Sequence, residues 1–203
     1  MKSFFLGRSL QMVREIYPDY DNDKLDEIRY GLEATYLSIT KLVVILGISL
    51  LLGIFKESVI LLVLFNFLRL TGFGLHATKS WMCWVSSSIT FLLVPFFCKS
   101  LVLPNYVLVA ISVVCLINFL LYAPADTVKR PLIHKKRRLL YKVCTVLIAS
   151  LYTVLIFITK DTFLQNSLAS AMLIEGALIN PYIYKLFNLP YNNYKNYVIS
   201  ASK

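Results

Sequence analysis

The chain has 203 residues, of which 58% are hydrophobic, with a mean hydropathy of +0.67 and a formal net charge of +10. Ordinary soluble domains hold roughly 45–50% apolar residues, so the composition excludes a water-soluble globule and points to a membrane protein. The positive charge is spread over the chain ends and one connection rather than gathered in a folded basic domain, which excludes nucleic acid as a partner.

The N-terminal segment, 1–35, has no uninterrupted apolar core and no small-residue cleavage site, so it is expected to be retained rather than removed as a signal peptide. Phe4, Phe5, Leu6, Met12, Val13 and Ile16 fall broadly on one side of a helix, with Lys2, Arg8 and Arg14 elsewhere. That pattern suits an amphipathic helix lying in the membrane interface, or one packed on the protein's own cytosolic surface. Beyond it come apolar blocks near the ~20 residues needed to cross a bilayer core, at about 36–55, 58–75, 80–98, 104–122, 139–158 and 163–184. The runs are continuous and do not alternate apolar with polar, which excludes β-barrel strands. The expected fold class is therefore an all-α polytopic membrane protein of about six transmembrane helices. Its expected segments are an interfacial one at 1–35, a spanning domain at 36–184 and a cytosolic tail at 185–203. Lys41, Arg69 and Glu175 are charges that fit poorly inside such spans.

Orientation follows from the cations. Five Lys or Arg precede the first span, six lie in the connection "APADTVKRPLIHKKRR" (Lys129, Arg130, Lys135, Lys136, Arg137, Arg138), and three follow the last. The connections at 56–57, 99–103 and 159–162 carry one each. With six crossings the rich segments share one face, so the positive-inside rule expects both termini, and the turn at 76–80, in the cytosol. His134, within the basic run, reads as a solvated loop residue.

Between spans two and three the chain reads "FNFLRLTGFGLHATKSWMCWVSSS". Charged groups collected at a membrane edge are functional candidates, although Arg69 and Lys79 could simply snorkel to lipid phosphates. His76 and Cys83, seven residues apart, would face the same direction on an unbroken helix but lie ~10.5 Å apart along its axis. No His–thiol contact forms at that separation. The glycines of "TGFG" permit a break, after which His76 could fold back towards Cys83 in the first turns of span three, where backbone N–H groups favour an anion. Cys83 would then be a nucleophile and His76 its base. Cys98, Cys115 and Cys144 lie in or at the ends of apolar spans and read as packing residues. No Cys/His spacing matches a metal site, and a cytosolic Cys83 argues against a disulfide.

These residues resemble the active-site motif of the accessory gene regulator protein B (AgrB) family: Arg69, then "GLHA" at 74–77, then a Cys seven positions after the His. "YAPADTVKRPL" at 122–132 resembles the family's second signature. The resemblance implies a cofactor-independent membrane cysteine endopeptidase of Gram-positive quorum sensing. It would cut the C-terminal tail from an AgrD-like pro-peptide, hold the remainder as a thioester and promote closure of a thiolactone or lactone ring. Carried over by position, Cys83 is the nucleophile and His76 the base, with Arg69, Gly74 and, less directly, Glu33 supporting the site. The resemblance also implies a homodimer in the cell membrane. The basic residues 129–138 could bind an acidic peptide tail or anionic lipid. Glu33, Asn66 and Asp126 each remain open as the group that orients His76. The competing readings are a transporter, in which Asn118, Asn166, Glu175 and Asn180 line a path, and a membrane scaffold without chemistry.

Overall fold

The structure is a computed structural model that describes residues 2–75, 80–127 and 131–195. Every named element among them is helical: α1 (Lys2–Ile16), α2 (Asn22–Leu51), α3 (Phe55–Gly72), α4 (Ser80–Ser88), a π-helical segment (Ile89–Leu93), α5 (Val94–Ser100), α6 (Asn105–Tyr122), α7 (Lys135–Ile158), α8 (Thr162–Ile179) and α9 (Pro181–Leu186). The chain divides into two compact units, Met1–Leu51 and Leu52–Lys203.

In the first unit α1 packs on α2, with the rings of Phe5 and Tyr36 5.4 Å apart. Phe4, Met12 and Ile16 stay exposed, the uncovered apolar side that an interface helix presents. Helix α2 begins at Asn22, well before the apolar block expected from residue 36, because the acidic and basic residues of 22–35 are good helix formers and nothing breaks the run. Glu33 therefore lies within this helix rather than in front of it.

In the second unit α8 is the axis, packed against α3, α5, α6 and α7. Its buried residues include Ala169, Ala171 and Gly176, whose small size lets neighbouring backbones approach, and Asp161 caps its N-terminus by accepting from the N–H groups of Phe163 and Leu164. Polar side chains then tie the helices together. Tyr152 Oη donates to the Leu64 carbonyl at 2.8 Å, joining α7 to α3. Asn166 Nδ2 donates to the carbonyls of Cys98 and Leu101, at 3.0 and 2.7 Å, satisfying the open end of α5.

Among the described residues four helical stretches are long and apolar enough to cross a membrane, Asn22–Leu51, Trp81–Ser100, Asn105–Tyr122 and Lys135–Ile158, rather than the six expected. The other two expected spans do form helices, α3 and α8, of 18 residues each. Polar residues interrupt both: α3 carries Lys56, Glu57 and Arg69, and α8 carries Gln165, Asn166 and Glu175. Helix α8 is enclosed by other helices, so its surroundings, unlike lipid, can satisfy polar groups. The Trp81–Ser100 stretch changes winding where Pro95, which has no N–H, cannot donate to Phe91.

Candidate active site

The geometry of residues 69–75 follows from two misfit charges. Arg69, near the end of α3, and Glu175, on α8, are 106 positions apart in sequence, and Nη1 of the first lies 3.4 Å from Oε2 of the second. The Glu175 side chain is fully buried and that of Arg69 nearly so. An unpaired charge in such a place is costly; each is the other's counter-ion. The guanidinium then turns to the backbone ahead of it, where Nη2 donates to the Gly74 carbonyl at 3.2 Å and makes a short bond to that of Leu75.

Helix α3 ends at Gly72, as "TGFG" predicts. Phe73 (φ 61°) and Gly74 (φ 89°) both have positive φ, a conformation that a residue with a Cβ adopts only under external constraint. The constraint on Phe73 is visible. It bridges to Ala125, with Ala125 N–H donating to the Gly72 carbonyl at 3.0 Å and Gly74 N–H to the Ala125 carbonyl at 2.8 Å, while its ring meets Tyr141 edge-on at 4.8 Å. Leu75 N–H donates to the Leu178 carbonyl at 2.8 Å. An added Cβ would force a neighbour to move at two of these positions. A Cβ on Gly74 would stand 2.6 Å from Arg69 Nη1 and 2.8 Å from the Leu178 carbonyl oxygen, and one on Gly72 would stand 2.6 Å from Glu175 Oε1.

The clamped segment precedes residue 76 in the chain. His76 itself, with Ala77, Thr78 and Lys79, lies outside the described residues, as do Lys129 and Arg130. On the far side, Cys83 occupies the first turn of α4 and is half-buried. None of the four cysteines forms a disulfide with another described residue. Cys115 is buried, and Cys98 departs from the purely apolar surroundings expected of it, with its Sγ 3.3 Å from Ser170 Oγ.

The second signature packs against the first. Ala125 supplies the bridge to Phe73, and Asp126 follows it, buried, with its carboxylate accepting N–H groups from Asn193 (2.8 Å), Tyr194 (2.7 Å) and Leu132 (3.4 Å). Its own carbonyl accepts from Tyr184 Oη at 3.2 Å. Burial pushes the Tyr191 phenol, which donates to the Tyr122 carbonyl, up to about 12. Asp126 is thus the knot that fastens the segment after α9 to the loop after α6, and Asn66 donates to Leu62 of its own helix.

The basic run divides in two. Arg138 stacks over the Tyr194 ring, 3.6 Å from its centroid, and donates to the Leu132 carbonyl at 3.1 Å. Lys135, Lys136 and Arg137 are exposed in the first turn of α7, where the helix dipole disfavours cations, and the turn holds no acidic residue. His134 is likewise exposed, at the N-cap of α7.

The polar residues that would line a transport path bond to neighbouring helices and to one another. Asn118 Nδ2 donates to the Gly176 carbonyl at 2.7 Å, and Asn180 Nδ2 donates to Asn118 Oδ1 at 3.1 Å while its Oδ1 caps α9.

Fold and site together define a class: an all-α protein with membrane-crossing helices, whose Arg- and Gly-dependent turn stands between a buried ion pair and a cysteine at a helix start. The family model described as accessory gene regulator B matches residues 9–180. The chain is 32% identical over 171 residues to an AgrB-like protein of Clostridium acetobutylicum, covering 84% of this chain and 82% of the other. It is 30% identical over 177 residues to an AgrB-like protein of Listeria welshimeri, covering 87% of each. It is 27% identical over 166 residues to accessory gene regulator protein B of Staphylococcus aureus, covering 81% and 87%. No solved structure matches it. The chain belongs to the AgrB family, which ties it to the agr quorum-sensing system.

Proposed function

We propose that the protein is a membrane-embedded cysteine endopeptidase that processes an AgrD-like pro-peptide, with Cys83 as nucleophile and His76 as its base. The observation that carries this reading is the join of a clamped backbone at Gly74–Leu75 to His76, with Cys83 in the first turn of the next helix. His76 takes the Cys83 proton. The thiolate adds to the scissile carbonyl carbon, and collapse of the tetrahedral adduct breaks the C–N bond as His76 returns its proton to the leaving amine. The product is a thioester between Cys83 and the N-terminal part of the peptide. An internal thiol or hydroxyl of that peptide then attacks the thioester carbonyl, closes the ring and leaves Cys83 with the proton. Backbone N–H groups at the start of α4 are the donors proposed for the oxyanion. Exclusion of water at the membrane edge favours ring closure over hydrolysis.

Lys135, Lys136 and Arg137 are proposed to meet an acidic peptide tail, since their position opposes the helix dipole and so does not serve α7 itself. The same cations argue for a cytosolic face, with both termini on that side of the cell membrane. A homodimer, implied by the family resemblance, belongs to the same proposal. Against the transporter reading, Asn118, Asn166, Asn180 and Glu175 each bond to a group on a neighbouring element.

The test is reconstitution in liposomes with a candidate AgrD-like pro-peptide, and mass spectrometry for an acyl adduct on Cys83. Cys83→Ala and His76→Ala should abolish cleavage, whereas Cys98→Ala, Cys115→Ala and Cys144→Ala should retain it. Cleavage by Cys83→Ala would overturn the reading.

A further inference from the structure

We infer that Glu175 is a positioning residue for the reaction: through Arg69 it fixes the backbone from which His76 departs. The inference rests on the His76–Cys83 reading above. Its physical basis is the sequence of contacts already described. Glu175 lies on α8, the most enclosed helix of its unit, and its carboxylate is fully buried. Arg69 has one guanidinium edge on that carboxylate and the other on the carbonyls of Gly74 and Leu75. The Leu75 carbonyl belongs to the peptide group that joins residue 75 to His76, so its placement sets the plane at which the next residue begins.

Arg69 has many rotamers of its own. Without Glu175 nothing described on α8 would keep its charge in the bundle, and solvation at the membrane edge would draw the guanidinium away from the Gly74 and Leu75 carbonyls. Oε1 of Glu175 has no hydrogen-bond partner among the described residues and faces the bare Cα of Gly72. The space left by the missing Cβ is what lets the carboxylate reach Arg69. Gly72 and Glu175 therefore act on one distance, and the site has a control point on a helix that carries neither member of the His–Cys pair.

The consequence can be read without a peptide substrate. In the full chain with Cys98, Cys115 and Cys144 changed to Ala, reconstituted in liposomes, the probe is the rate at which iodoacetamide alkylates Cys83. His76→Ala defines the rate without a base. Glu175→Gln, which keeps shape but removes the charge, and Gly72→Ala, which pushes the carboxylate aside without altering either charge, should each slow alkylation by roughly 10- to 100-fold, as expected when a reacting pair is misplaced by about an ångström. Glu175→Asp should fall between wild type and Glu175→Gln. Amide hydrogen exchange over residues 73–80 should quicken in both variants, with α6 and α7 unchanged.

A merely structural role gives the opposite sign, because a loosened bundle exposes the half-buried Cys83 and speeds alkylation. Faster or unchanged alkylation in Glu175→Gln and Gly72→Ala, with His76→Ala slow, overturns the inference. If His76→Ala itself reacts like wild type, the His–Cys reading fails first, and the exchange measurement still decides whether Glu175 orders residues 73–80.

Discussion

Asp126 accepts the backbone N–H of Asn193 at 2.8 Å, a contact between residues 67 positions apart that closes the second unit on itself. Because the same carboxylate also accepts from Tyr194 and Leu132, one side chain satisfies three backbone donors that have nowhere else to go in a buried setting.

Asp126→Ala should therefore lower the stability of the protein by about 2–3 kcal/mol, the scale for losing charge-assisted bonds and leaving donors unsatisfied. Thermal unfolding in detergent measures the loss. Limited proteolysis after residue 189 should quicken in the variant, and an unchanged digestion pattern would show that Asp126 does not hold this segment.

Gly74→Ala should be more damaging to activity than to folding. The positive φ costs about 1–3 kcal/mol once a Cβ is present. The added carbon also stands 2.6 Å from Arg69 Nη1, forcing the guanidinium off the clamp. The expected result is folded protein with cleavage of pro-peptide lost, compared by size-exclusion profile and product mass. Gly7→Ala and Gly47→Ala, where an added Cβ meets nothing, should behave as wild type.

Tyr152→Phe removes the hydroxyl that bonds the Leu64 carbonyl. That carbonyl keeps its place in the α3 ladder, so the cost should be only about 0.5–1 kcal/mol, close to the mean for interhelical bonds in membranes. A van't Hoff analysis of unfolding in mild detergent can resolve it. A loss several times larger would mean that the bond organises the α3–α7 contact instead of decorating it.

Neutralising Lys135, Lys136 and Arg137 together should raise KM for an acidic-tailed pro-peptide by roughly 10-fold at low salt, with kcat unchanged and the difference shrinking as ionic strength rises. Arg138→Gln should differ in kind. Arg138 holds Tyr194 and Leu132, so its loss should appear as reduced stability at every salt concentration.

By itself the sequence determined the membrane class, the all-helical fold and the break at "TGFG", and it placed most helices, though not the early start of α2 at Asn22. Each rests on local physics: apolar length sets a span, and glycine with a short polar stretch ends one. It also marked Arg69 and Glu175 as charges out of place. Tertiary structure decided that the two misfits are partners, because counter-ion choice across 106 residues depends on which helices touch. It decided which backbone donors the Asp126 carboxylate holds, since those donors arrive from residues 193 and 194. It likewise decided that α8 could be polar, as a helix enclosed by protein need not match the lipid that hydropathy measures.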